Sequence, residues 1–232
     1  MSTRNLQLDR IIVLTEDRSS VPILRSIFRQ ILAAAGLSCP VENYFHRGRG
    51  YLPQDWSAPP RLRAASLLEL LPAKIRAYER VLKEENSLLA VVLDADDTPV
   101  DELFKPLAQC FQKFAPDLVR LIGIAVEEFE AWLLGDPEAV LAAYPDADRK
   151  ELKRYPQDQI VGTWEWLARV ILHRPLEDRK DRAYALIGAY KLEWAERIAP
   201  ELDIRRNHSP SLQKFCEQFE HCLALLSERQ DV

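Results

Sequence analysis

Glycine is scarce in this chain of 232 residues, with seven, and methionine occurs once. No Gly-rich phosphate loop of the Walker type is present, so any dependence on ATP has to come from another chain. Long apolar runs are missing too. None approaches the roughly 18 residues that cross a bilayer. The opening MSTRNLQLDR lacks the apolar core of a signal peptide. A cytoplasmic protein with no membrane association is therefore expected. The four cysteines, Cys39, Cys110, Cys216 and Cys222, match no metal-binding spacing and read as free thiols. Positive charge is in deficit, and the net charge of -5 argues against a general coat for nucleic acid. It leaves room for an acidic centre with basic ground around it. Internal repeats and low-complexity segments are absent.

What is present is an alternation of strand and helix patterns. Residues 10–15 (RIIVLT) form a β-branched run suited to a strand buried on both faces. Ser19 and Ser20 offer an N-cap to a helix over 21–35 that Gly36 ends. Residues 41–46 read as a second strand. The following HRGRGYLPQDWSAPPR has the composition of an exposed loop. Residues 61–85 are helical in pattern, in two pieces with Pro72 opening the second. A strand over 88–93, a helix over 100–114, a strand over 118–126 and a helix beginning at 127 follow. From Asp136 onward only helices are expected, the last of them opened by Ser209 and Pro210. This order predicts an α/β fold: a parallel sheet flanked by helices, with a C-terminal helical extension. The chain divides into 1–135, bearing the strands, and 136–232, bearing helices alone.

Each of the three best strands ends in carboxylates: Glu16 and Asp17, then Asp94, Asp96 and Asp97, then Glu127, Glu128 and Glu130. Ligands of open parallel sheets bind beyond the carboxyl ends of the strands, where these groups would share one edge. Alternation in an extended segment points Asp94 and Asp96 the same way. Glu127 and Glu130 share a helix face. Asp97 reads as a helix cap. Like charges held together are costly unless a cation neutralises them. An all-oxygen set without Cys or His suits Mg²⁺ or Mn²⁺ better than zinc. The candidate metal ligands are Glu16, Asp94, Asp96, Glu127 and Glu130.

The segment DADDT also satisfies the D-x-D-x-T pattern of haloacid-dehalogenase-like phosphatases, with Asp94 as nucleophile and Asp96 as general acid. That pattern usually follows the first strand of its fold. Here a strand and a helix precede it, and no Ser or Thr stands at the end of LIGIAVEE. A second resemblance covers 11–219. An acid after the first strand and D-x-D after a later one resemble the TOPRIM fold. The set IIVLTEDRS, VVLDADD, IGIAVEEFEAWLLGDPEAV, Tyr190 with Lys191, and SPSLQKF is similar to the bacterial TOPRIM-like family filed as domain of unknown function 4276.

The resemblance implies a TOPRIM-like catalytic core over 1–135 and a metal-dependent phosphoryl-transfer centre of nuclease type. In it, Glu16 matches the first acidic position, Asp94 and Asp96 the D-x-D pair, and Glu130 the family's own acidic motif. Asp17 departs from the Gly usual after the first acid, although Asp tolerates unusual backbone angles. Asp94, Asp96 and Glu16 would hold Mg²⁺ or Mn²⁺, with Glu16 alternatively acting as general base, and Glu127 or Glu130 would complete a second metal shell. Lys191, with Lys180 behind it, is the candidate cation for charge on the substrate. Arg47, Arg49, Arg61 and Arg63, interleaved with Tyr51 and Trp56, form a candidate nucleic-acid contact. TOPRIM relatives often work beside an ABC or SMC-like ATPase in anti-phage defence, which implies such a partner; a homo-oligomer is also open. The contrasting reading is a non-catalytic docking subunit of the same system. Phe129, Trp132 and Leu133 fall on one helix face and are expected to bury against the sheet.

Overall fold

The computed structural model describes residues 6–61, 63–174 and 183–230. Four strands, β1 (Ile11–Thr15), β2 (Val41–Phe45), β3 (Leu88–Asp94) and β4 (Arg120–Ala125), form one parallel sheet in the order β2-β1-β3-β4. The helices linking them are α1 (Ser20–Ala34), α2 (Leu67–Leu82) and α3 (Val100–Phe114). The remaining helices are α4 (Glu130–Leu134), α5 (Pro137–Ala143), α6 (Arg149–Arg154), α7 (Thr163–Leu172), α8 (Ala183–Ile198) and α9 (Pro210–Gln230).

The near-continuous apolar strands are explained by cover on both faces, because successive side chains serve different cores. Ile11, Val13, Leu88, Ala90, Val92 and Leu121 face a cluster built with α1 and the C-terminal helices. Ile12, Leu14, Leu89, Val91, Leu93 and Ile124 face a second cluster built with α2 and α3. From β1 the chain steps outward to β2, whereas β3 to β4 steps in the opposite direction. Right-handed crossovers then place α1 on one face and α2 and α3 on the other.

Among the described residues every strand lies before residue 135, and the core crosses that division. Phe215 and Phe219 of α9 meet Phe28 of α1 with ring centroids 5.8 and 4.8 Å apart. Gly123 on β4 makes this possible: a β-carbon there would run into the Phe215 ring and Val92. Phe129, Trp132 and Leu133 are buried as expected.

Three local expectations change. The helix expected in two pieces over 61–85 is the single α2, with Pro72 inside it and buried. Pro72 falls in the second turn, where the missing N–H forgoes one intrahelical bond while the ring adds to the core. Ser19 makes no capping bond to α1; Asp17 does, taking the Ser20 N–H at 2.9 Å. The helix expected from 127 starts only at Glu130, because Glu127 has a left-handed φ of 59°. No helix among the described residues is long and apolar enough to cross a membrane.

Candidate active site

In this strand order the direction of travel reverses between β1 and β3, which opens a crevice at their carboxyl ends. Glu16 follows β1 directly and Asp94 is the last residue of β3, so adjacent strands deliver two carboxylates to the crevice. Both are buried. Glu16 Oε1 accepts the backbone N–H of Asp94 at 2.5 Å. Burial pushes Glu16 up to about 7, with Asp17 and Asp96 adding to the rise and the Asp94 N–H and Arg49 opposing it. Asp94 is raised well above the ordinary carboxylate range, first by burial and then by Glu16, against the pull of Lys191. Its Oδ1 is buried with no hydrogen-bond donor in reach.

The other side of the crevice comes from the C-terminal helices. Glu130 opens α4 and is buried, and its carboxylate meets Lys191 of α8 at 3.2 Å from Oε2. The same ammonium lies 2.9 Å from Glu128 Oε1. Burial lowers Lys191, but Glu130, Glu128 and Asp94 outweigh it and hold the ammonium well above its ordinary range. Glu130 is pushed up to about 7 by burial, despite Lys191. The result is a buried carboxylate cluster sharing one cation.

The segments IAVEEFEAWLLGD and SPSLQKF meet behind this cluster. Trp132 Nε1 donates to Ser211 Oγ at 2.9 Å, and Asn207 Nδ2 to the Trp132 carbonyl at 2.7 Å. Asp158 accepts Ser209 Oγ and the Ser211 N–H, bracing the start of α9. Asp136 caps α5 through Ala139 N and takes Arg206 Nε at 2.7 Å. IAVEEFEAWLLGD and SPSLQKF thus form a frame that fixes Glu130 against the sheet.

Other candidates are placed differently. Asp96 does not share a face with Asp94, because β3 ends at Asp94 and Asp96 turns into a left-handed φ of 47°. Its side chain is 51% exposed and pairs with Arg49 Nη1 at 3.0 Å, at the mouth of the crevice. Glu127 turns away from the cluster. Its carboxylate receives the N–H groups of Gly162 and Thr163 and the Thr163 hydroxyl, latching the start of α7. Burial still raises Glu127 to about 7. Asp97 is exposed and does not cap α3, whose N-cap position is Pro99.

The arginines divide in the same way. Arg49 is spent inside the protein, donating to the carbonyls of Asp94 and Ala95 at 2.9 and 2.8 Å. Arg47, Arg61 and Arg63 are exposed. Lys180 lies outside the described residues. Glu128 was visible in the acidic run but not as a partner of Lys191. Only the approach of α8 reveals that role.

The donor set is all oxygen, which fits a hard cation. A cage of five acids is not formed: among the described residues no three His, Cys, Asp or Glu side chains converge to enclose an ion. Mg²⁺ commonly takes one or two protein carboxylates and completes its shell with water and substrate phosphate. Asp94, with its undonated Oδ1, and the neighbouring Glu16 fit that mode. Comparison with protein-family models, curated proteins and solved structures returns no match.

Proposed function

We propose that this chain is a metal-dependent phosphoryl-transfer protein of nuclease type, TOPRIM-like in the order and spacing of its acids. The observation that carries this reading is Asp94 Oδ1, a buried carboxylate oxygen with no donor, at the sheet's reversal point beside Glu16. A carboxylate oxygen left without a donor is costly unless a cation or ligand meets it.

Asp94 and Glu16 would hold Mg²⁺ or Mn²⁺, which when bound polarises the phosphate and stabilises charge on the attacking and leaving oxygens. In its alternative role, with Asp94 on the cation, Glu16 is the general base: its carboxylate takes a proton from water as the water oxygen bonds to phosphorus, the bond to the leaving oxygen breaks, and that oxygen takes up a proton from solvent. Lys191 is a positioning residue, setting Glu130 and Glu128 on the far wall. Arg49 ties the 94–96 turn to the loop after β2. An ABC or SMC-like ATPase as partner and a role in anti-phage defence belong to the same proposal. The phosphatase alternative draws no support from Asp96, whose carboxylate is engaged by Arg49 at the mouth.

The test is incubation with mixed single- and double-stranded DNA and RNA and Mg²⁺ or Mn²⁺, using wild type and Asp94→Asn. Wild type cleaves, and the variant loses about 100-fold or more of the rate. Mn²⁺ raises the melting temperature of wild type and not of the variant. Cleavage retained by Asp94→Asn overturns the assignment. One observation favours a second reading: Lys191 already neutralises Glu128 and Glu130 from within. A wild-type protein that ignores Mn²⁺ and cleaves nothing is the docking subunit.

A further inference from the structure

Between β2 and α2 the chain runs through 46–61 and 63–66 without regular structure, and a cavity of about 870 Å³ lies in this loop. The loop is fastened at both ends. Gly48 N donates to the Glu16 carbonyl at 2.8 Å, and Leu67 N to the Gly48 carbonyl at 3.0 Å. Arg49 holds the carbonyls of Asp94 and Ala95. Arg76 of α2 donates to the carbonyls of Trp56 and Ala58, and Lys113 of α3 lies over the Trp56 ring. Gly50, at φ 66°, lets the chain turn tightly against Ser66, where a methyl group would collide. The walls are therefore set before any ligand arrives.

The side chains facing the cavity are unequally engaged. Its two carboxylates have internal partners: Asp55 accepts Ser57 N at 2.8 Å, and Glu69 accepts Ser66 Oγ at 2.6 Å. Arg47 and Arg61 line the same cavity and make no side-chain hydrogen bond or ion pair among the described residues. Tyr51 lines it with 82% of its surface exposed. Two uncommitted guanidinium groups and an open aromatic ring suit phosphate and base together. The cavity has room for one or two nucleotides, and stacking on Tyr51 needs a base face that is not already covered within a duplex.

We propose that this cavity seats an unpaired nucleotide of a nucleic-acid strand, with its base against Tyr51 and its phosphates at Arg47 and Arg61. The loop's bonds to the backbone carbonyls of Glu16 and Asp94 join the cavity to the strand ends that carry the carboxylate cluster, and the adjoining phosphodiester runs toward it. That last step rests on the proposed function; binding in the cavity does not. Single strands and frayed or overhanging ends are thereby preferred over blunt duplex.

The experiment is fluorescence anisotropy in EDTA at fixed salt, with a short labelled single strand, the same strand in a blunt duplex, and a mononucleotide as competitor. Wild type binds the single strand about tenfold or more tighter than the duplex. Tyr51→Ala loses about tenfold, the weight of one stacked base, with its melting temperature unchanged. Arg47→Ala combined with Arg61→Ala flattens the salt dependence by roughly 0.7 per lost phosphate contact. Equal affinity for blunt duplex, or full binding by Tyr51→Ala, overturns the proposal. A mononucleotide that competes as well as the strand overturns the strand as ligand. Should no nucleic acid be cleaved while Tyr51-dependent binding persists, the metal-dependent activity fails and this site stands.

Discussion

Glu16→Gln separates the cost of the carboxylate cluster from its use. Folding carries Glu16 from an ordinary 4.5 to about 7. A carboxyl raised in the folded state contributes its full stability below pH 4.5 and loses it as pH rises toward 7. The loss for this group is about 3 kcal/mol. Glutamine keeps an oxygen for the Asp94 N–H and carries no charge to desolvate. At pH 8 without metal, the variant gains up to about 3 kcal/mol, or about 6 to 12 °C in melting temperature. At pH 4.5 the two proteins melt together. Asp94 and Glu130 stay buried in the variant, so a residual decline with pH remains. The assay is thermal melting by circular dichroism from pH 4.5 to 8 in EDTA. A wild-type melting temperature that holds or rises over this range, or a variant without gain at pH 8, refutes the reasoning. Adding Mn²⁺ at pH 8 should lift wild type more than the variant, because the variant lacks one of the two proposed ligands.

Two further outcomes follow from the same geometry. Lys191→Met leaves Glu128 and Glu130 without their cation, so it should destabilise by about 3 kcal/mol at pH 8 and by less at pH 5, where Glu130, pushed up to about 7, takes up a proton; urea unfolding at the two pH values checks this, and equal losses would contradict it. Glu127→Ala releases three donors at the start of α7 and should cost about 1 to 2 kcal/mol at pH 6. Its Mn²⁺-dependent rise in melting temperature should be unchanged, and loss of that rise would return Glu127 to the metal site.

The strands could be read from sequence because burial on both faces demands continuous apolar runs, as in LLAVVL, and few other elements tolerate them. That acids cluster at the strand ends followed from the same reading. Which acids meet did not. The pairing of Asp94 with Asp96 assumed that extended backbone continued past the strand, and the left-handed turn at Asp96 breaks that alternation. Glu127 and Glu130 were joined by helical spacing, but the helix begins at Glu130, so Glu127 is free to latch α7. Arg49 looked like its neighbours in an Arg-rich loop. Only the approach of the β3 turn makes it an internal tether while Arg47 and Arg61 face the cavity.

The sequence by itself determined the α/β class, the parallel sheet and the supply of acids at its carboxyl edge, since these depend on local periodicity and chain order. Tertiary structure decided the membership of the cluster. Asp94, Glu16, Glu130, Glu128 and Lys191 come from β3, the end of β1, the start of α4 and α8, and long-range packing brings them together. Burial, which pushes Glu16 and Glu130 up to about 7, is a property of that packing and of no single segment.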